Sequence, residues 1–245
     1  LYHYEPNGSL ARVPGQLRDT DRKEISVEIS ILTSIFAIFG KSTDNTAPVT
    51  TLSVAGSEYN AAEKTYINVR SSVVLSAYDP VVYATSTGVA FTEFRIDPAT
   101  STAPFQLYSG HFSLKEGIRL LEFRSQDNAG NLEVVKSSYM YMDGTAPITE
   151  GLISGTTGRN GWYISPVVVT LISTDNLSGV GKIGYRVEGP GYNNKEIIYT
   201  SSFTLNNEGL YTVRYYAVDN AGNVESEKET ILKLDMGAPL AMAVS

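Results

Sequence analysis

"GLYTVRYYAVDNAGN", residues 209–223, decides how this chain folds. Tyr211, Val213, Tyr215 and Ala217 share one face of an extended segment, and Thr212, Arg214 and Tyr216 share the other. A period of two predicts a β-strand with one buried face. "DNAGN" then predicts a tight turn: Gly222 can take a positive φ, and Asp and Asn side chains bond nearby backbone groups. The same five residues stand 92 positions earlier, at 127–131, with Gly130 at the turn and Leu121, Phe123 and Ser125 on the inward face of the preceding strand.

Further blocks extend the correspondence. "TAP" at 145–147 returns as "GAP" at 237–239, again 92 residues on, and "TAP" also stands at 46–48. "YINVRSSVVLSAYD" (66–79) matches "YISPVVVTLISTD" (163–175), and "GVAFTEFRID" (88–97) matches "GVGKIGYRVE" (179–188). "YSGHFSLKEG" (108–117) matches "YTSSFTLNNEG" (199–209). Blocks that keep their order and nearly their spacing mark a duplicated unit. The expected domains are 46–143 and 144–236, after an N-terminal extension over 1–45 and before the start of a further segment over 237–245. Each repeat offers about seven short strands and no helical periodicity. "LEVVKSSYMYMD" and "VESEKETILKLD" return antiparallel after the turns and close each unit. The expectation is an all-β chain of two tandem immunoglobulin-like β-sandwich domains, preceded by an extension containing a long apolar strand. Pro48, Pro147 and Pro239 fix φ and lack an N–H, which suits a stiff hinge. With so short a linker as "MDGTAPIT", the two sandwiches are expected end to end in a stiff rod.

"TAPVTTLSVAG", "TAPITEGLISGTTGRNGWYISPVVVTLISTDNLSGVGKIGYRVEG" and "EGLYTVRYYAVDNAGNVES" resemble the bacterial Ig-like repeats found in tandem in large secreted and surface proteins, one branch of which is a leptospiral outer-membrane-protein type of β repeat. The second repeat matches closely. In the first, "SEYNAAEKTYI" replaces the "NGWY" element and "YDPVVYATSTGV" is longer than "TDNLSGV". The resemblance implies the sandwich fold, an extracellular or cell-surface location and a role as spacer, stalk, adhesive module or fibre element. It implies no catalytic residue, and it does not reach residues 1–45.

Composition narrows the function. Of 245 residues 42% are hydrophobic, so real cores can form, and the net charge of -7 repels phosphate backbones. No Lys/Arg cluster offsets that charge, so nucleic acid is not an expected partner. With no cysteine there is no zinc-thiolate site, thiol nucleophile or disulfide; a sandwich without an inter-sheet bridge points to a prokaryotic source. Leu1 follows no initiator Met, and the chain reads as a processed or partial product. No apolar run reaches the roughly 20 residues that a membrane helix needs.

The most apolar stretch is "EISVEISILTSIFAIF", residues 24–39. Ile25, Val27, Ile29 and Ile31 alternate with Ser26, Glu28 and Ser30, and Ile35, Phe36 and Phe39 continue the apolar run. A helix is the competing reading, with Asp21 and Glu24 as a capping box and Ile25, Ile29, Leu32, Phe36 and Phe39 on one face. The β-branched density favours a strand. Five or six such side chains are worth roughly 1.5–3 kcal/mol each when buried. The segment must therefore fold back or insert elsewhere. The expectation is that 23–40 adds as a donor strand to a neighbouring subunit and builds a head-to-tail homopolymer.

Candidate sites are few. His3 and His111 are the only histidines, which leaves little for a Ser–His–Asp arrangement, and no catalytic residue is expected. Asp127, Asn128 and Asn131, with Asp219, Asn220 and Asn223, concentrate oxygen donors, and Asp79 and Asp175–Asn176 can add more, so calcium is the one cofactor considered. The competing and preferred reading is that Asp and Asn here build the turns. Trp162 and Tyr163, with Tyr192 and Tyr199, are candidates for stacking on sugar rings, against the usual role of strand tyrosines in cross-strand packing. Asn7 and Asn176 match the glycosylation acceptor pattern. The functional expectation is a non-enzymatic extracellular structural protein, a filament or stalk subunit; the alternative is an adhesin or carbohydrate-binding accessory module with a glycan or cell-surface ligand.

Overall fold

The computed structural model describes residues 44–82 and 86–237 with their side chains, and the backbone of three short strands before them: β1 Tyr2–Tyr4, β2 Leu10–Arg12 and β3 Phe36–Ala37. β1 pairs antiparallel with both others, His3 opposite Ala11 and Phe36. These strands belong to a unit of residues 1–45 and 81–86, and both repeats belong to a second unit of 46–80 and 87–245. Of the assembly positions only Phe36 falls in a described strand; Ile25, Val27, Ile29, Ile31, Ile35 and Phe39 lie outside the described residues, as does Asn7.

Both repeats are immunoglobulin-like β-sandwiches, and no α-helix occurs among the described residues. In the first, β4 Val49–Ala55 pairs antiparallel with β7 Ser72–Tyr78. The facing sheet runs in the order β5 (Glu58–Ala61), β6 (Lys64–Ile67), β11 (Lys136–Met142), β10 (Gly117–Asp127), β8 (Val89–Ile96), β9 (Gln106–Leu107). In the second, β12 (Ile148–Ser154), β14 (Val167–Thr174) and β18 (Phe203–Leu205) form one sheet. The other holds β13 (Trp162–Tyr163), β20 (Lys228–Leu234), β19 (Gly209–Asp219), β15 (Val180–Gly189) and β16 (Tyr192–Asn193), with β17 (Ile197–Ile198) also on β15. In each repeat the final strand runs antiparallel to the long strand before its turn and parallel to a short strand near the start, β11 with β6 and β20 with β13.

The alternation expected in "GLYTVRYYAVD" is realised: Tyr211, Val213, Tyr215, Ala217 and Asp219 are buried. Tyr211, Val213 and Tyr215 pack with Val167, Val169, Leu171, Val187 and Leu232 into the second core. Leu121 and Phe123 do the same with Ile67, Val73, Leu75 and Met140 in the first. Stacked rings bridge the sheets at matching places, Phe94 on Phe112 and Tyr185 on Phe203, with centroids 4.1 and 4.5 Å apart.

A buried glutamate fastens the first strand of each sandwich to the opposite sheet. Glu225 Oε1 accepts the Thr149 N–H at 2.9 Å and Oε2 accepts the Ala217 N–H at 3.1 Å, while Lys228 Nζ lies 2.8 Å from Oε1. Lys228 also donates to the Thr149 carbonyl at 2.6 Å. In the first repeat Glu133 accepts from the Thr50 and Ser125 N–H groups at 2.9 and 3.1 Å and from the Thr50 hydroxyl, with Lys136 Nζ 2.6 Å away. Lys136 reaches the Thr50 carbonyl at 2.7 Å. Burial raises both carboxyl pKa values, but the lysine, the threonine hydrogen bonds and the lysine charge outweigh it, so each sits below the ordinary value of 4.5.

The strand entering each turn is anchored at its start by different chemistry in the two repeats. The Tyr211 hydroxyl donates to the Asn207 and Pro190 carbonyls at 2.8 and 3.2 Å, a tyrosine corner. Its counterpart Arg119 donates from Nε to the Lys115 carbonyl at 3.0 Å and from its other guanidinium nitrogens to the Glu116 carbonyl and to Asp97.

Candidate cation site at the junction between the repeats

The last strand of the first repeat ends at Met142, and the first strand of the second begins at Ile148. Only a few residues separate the sandwiches, so the turns at the near end of the second must meet the far end of the first. Asp143 makes two of the hydrogen bonds in that contact. Its N–H donates to the Ile67 carbonyl at 2.8 Å, which continues the β6–β11 pairing by one residue. Its Oδ2 accepts the Ser178 N–H at 2.8 Å, its Oδ1 the Thr145 N–H at 3.2 Å, and its carbonyl the Asn223 side-chain amide at 2.9 Å. Beside it, Asn68 Nδ2 donates to the Ala221 carbonyl at 2.7 Å, and Asn176 Nδ2 reaches Glu116 Oε1 at 3.3 Å.

Two further aspartates turn toward Asp143. Asp219 ends β19 and folds its carboxylate over the turn it opens: Oδ1 accepts the Asn223 N–H at 2.8 Å and Oδ2 accepts Asn223 Nδ2 at 2.7 Å. Gly222, at φ +92, lets that turn close. Asp175 follows β14 and accepts the Leu177 and Gly179 N–H groups on Oδ2 at 3.0 and 2.8 Å. Asp143, Asp175 and Asp219 thus bring one carboxylate oxygen each to within 4.8 Å of one another. Asp143 is 0% exposed and Asp219 4%. Among the described residues none of the three forms an ion pair with Lys, Arg or His. Two unit charges at such a separation repel by on the order of 3 kcal/mol at an effective dielectric of about 20. Burial first, and the Asp143 charge after its own hydrogen bonds, accordingly hold the Asp219 carboxyl above its ordinary value of 3.8. Asp175 Oδ1 is closed off from solvent and meets no hydrogen-bond donor.

The residues singled out in the sequence fall into two groups. Asp127 and Asp219 occupy equivalent places: Asp127 Oδ1 accepts the Ala129 and Asn131 N–H groups at 2.9 and 2.8 Å, and Oδ2 accepts Asn131 Nδ2 at 2.7 Å. Asn128 and Asn220 instead point their amide nitrogens at carbonyls, Asn128 at Thr87 and Gly88 and Asn220 at Ser178 and Gly179, all between 2.9 and 3.1 Å. These asparagines tie one loop to the next. Asp79 Oδ2 accepts the Thr87 and Gly88 N–H groups. Asp143 is absent from the sequence reading; its signal is the Asp two residues before each "TAP" or "GAP", present as Asp44, Asp143 and Asp235.

The aromatic candidates do not share a platform. Trp162 and Tyr163 are consecutive in β13, opposite Lys233 and Leu234, so their side chains alternate between faces. Tyr163, Tyr192 and Tyr199 pack against the second core. Tyr192 meets Tyr211 edge-on at 6.1 Å, and Tyr199 meets Tyr185 in the same way at 6.1 Å. His111 is exposed on a loop. A row of rings does occur on the first repeat, where Tyr59, Tyr66 and Tyr141 stand at 5.9 and 5.1 Å centroid spacing across β5, β6 and β11.

No family model matches the chain, and no curated protein does. Among solved structures the chain is similar to the fibronectin(III)-like modules of Clostridium thermocellum CbhA, with a TM-score of 0.34 and 11% identity over 79% of this chain and 100% of that one. Among the described residues no helix is long and apolar enough to cross a membrane, which leaves β-barrels unaddressed.

Proposed function

We propose that this protein is a non-enzymatic, extracellular structural protein of the bacterial tandem Ig-like repeat type, a subunit of a cell-surface fibre or stalk. The observation that carries this reading is the junction. Asp143, Asn68 and Asn223 join the two sandwiches by side-chain hydrogen bonds across a linker of a few residues. Serial modules tied to each other by such contacts can transmit force and set distance, which is the work of a spacer. The apolar alternation over 25–31, within the candidate donor strand 23–40, supports assembly by strand addition to a neighbouring subunit, since a lone apolar ribbon requires a sheet. Electron microscopy and light scattering of the full chain against a truncated chain lacking residues 1–42 test this. Concentration-dependent filaments should form only from the full chain. Filaments from the truncated chain, or a strictly monomeric full chain at high concentration, refute the assembly mode.

The second reading, an adhesin or carbohydrate-binding accessory module, is favoured by the Tyr59–Tyr66–Tyr141 row, since ring faces on a sheet surface can stack on sugars. Glycan-array binding that Tyr66→Ala and Tyr141→Ala abolish supports it. Binding that instead depends on Trp162 places the ligand on the second repeat.

A further inference from the structure

We infer that β5 and the groove beside it receive the apolar segment 25–31 of a neighbouring copy of this chain, which rests on the fibre reading above and names the acceptor it requires. β5 (Glu58–Ala61) ends its sheet and pairs only with β6 among the described residues. The turn between them has two residues, Ala62 and Glu63, at φ 47 and 62. A turn of that length makes Ala61 and Lys64 a hydrogen-bonded pair, and Tyr59 with Tyr66 the next one. Glu58 and Asn60 therefore aim their N–H and C=O groups away from β6, and no hydrogen bond to those groups occurs among the described residues. Edges of this kind are normally blunted. β4 and β12 show how: Glu133 and Lys136 occupy the N–H and C=O of Thr50, and Glu225 and Lys228 those of Thr149. β5 has no such clasp and no proline.

A groove runs beside this edge, lined by Leu52, Ser53 and Val54 of β4, Glu58 and Asn60 of β5 and Thr65 of β6. Leu52 and Val54 are half-buried and pack on the first core, so the groove has apolar side chains within it and polar ones at its rim. The second repeat has no strand like β5. There a turn over Arg159–Gly161 leads directly into Tyr163, whose backbone bridges Thr157 and whose ring packs on the core. Tyr163 accepts the Asp235 N–H as Ile67 accepts that of Asp143, so the smaller Ile67 is its counterpart in the first repeat. The open edge and the groove belong to the first repeat, which also carries the inserted hairpin.

The occupant follows from pattern and charge. An added strand turns alternate side chains into the groove and the others outward beside Tyr59. Residues 25–31, outside the described residues, have that division in their sequence: Ile25, Val27, Ile29 and Ile31 suit Leu52 and Val54, and Ser26, Glu28 and Ser30 suit the solvent side. Arg22 and Lys23 precede the segment. Glu58 at the start of β5 and Glu63 just past its end are both exposed, and neither forms an ion pair among the described residues. The basic start of the segment thus meets a carboxylate whichever way the strand runs. Donor and acceptor lie at different places on the chain, so each copy that accepts a strand also offers one, and the assembly stays open.

Hydrogen–deuterium exchange of the full chain, dilute and after assembly at high concentration, tests this. Peptides covering 57–61 and 24–31 should gain protection together, and only in the assembled sample. Asn60→Pro removes one outward N–H and spares the Tyr59–Tyr66 and Ala61–Lys64 pairs, so it should fold and raise the concentration for half-assembly about tenfold. Assemblies that protect 24–31 but leave 57–61 exchanging freely overturn this acceptor while the fibre reading stands. Protection of 57–61 that is equal in the dilute chain, or folded Asn60→Pro that assembles like wild type, overturns it as well. A wild-type chain that stays monomeric removes the fibre reading and this inference with it. Should Asn60→Pro fail to fold, exchange in the wild type decides alone.

Discussion

Replacing Glu225 by alanine should destabilise the second sandwich far more than its place on a loop after a turn suggests. The carboxylate is 8% exposed and is the acceptor for two backbone N–H groups, those of Thr149 on β12 and Ala217 on β19. Thr149 is 1% exposed and Ala217 0%, so water does not readily replace the lost acceptor. Each buried donor left unsatisfied costs about 1–3 kcal/mol, and hydrogen bonds to a charged acceptor lie toward the upper end. Lys228 keeps its bond to the Thr149 carbonyl and a partly exposed ammonium, so its loss of partner adds little. The sum is ~3–5 kcal/mol, a large share of the roughly 5–15 kcal/mol that stabilises a domain. At about 4–8 °C per kcal/mol for a domain of this size, Tm should fall by at least about 12 °C. Urea unfolding at pH 7 reads the change directly, as a lower midpoint with an unchanged slope. Glu225→Gln keeps one good acceptor and should fall between the alanine variant and wild type. Glu229→Ala, which removes an exposed ion pair with Arg214, should cost less than about 1 kcal/mol. A Glu225→Ala change within about 1 kcal/mol of wild type refutes the reasoning, because the clasp would then carry no net stability.

Other expectations follow from the same contacts. The equivalent Glu133→Ala should cost about as much in the first sandwich, and a double variant should be near additive unless the junction couples the two. Both glutamates titrate below 4.5 when folded, so the stability they give is complete above the unfolded value and is lost as pH falls through the folded one; urea midpoints from pH 7 to pH 3 should drop less steeply in a Glu133→Gln, Glu225→Gln double variant. Tyr211→Phe leaves the Asn207 and Pro190 carbonyls without their donor and should cost about 1–2 kcal/mol in the same assay, whereas Tyr216→Phe, whose hydroxyl meets exposed Glu196, should be near neutral. Gly189→Ala should destabilise strongly, since a Cβ there, at φ +150, meets the Tyr211 ring at 2.5 Å.

The strand pattern was legible because it is local. Tyr211, Val213, Tyr215 and Ala217 alternate within one segment, and burial follows from the pleat without knowing what lies opposite. Duplication was legible because "DNAGN" and "TAP" repeat as words, whatever they do in space. The turn role of Asp219 and Asn223 was within reach for the same reason, since donor and acceptor lie within five residues. What only the tertiary structure decided are meetings between distant residues. Trp162 and Tyr163, neighbours in sequence, part to opposite faces of a strand. Glu225, an unremarked residue after a turn, becomes the acceptor for a strand that begins 77 residues earlier. Asp143 joins Asp175 and Asp219 because the linker returns the chain to the end of the next sandwich, where two loops converge. Periodicity reports which face of a strand is buried; it carries no information about which loops a sandwich gathers at one end, and that gathering makes the acidic site.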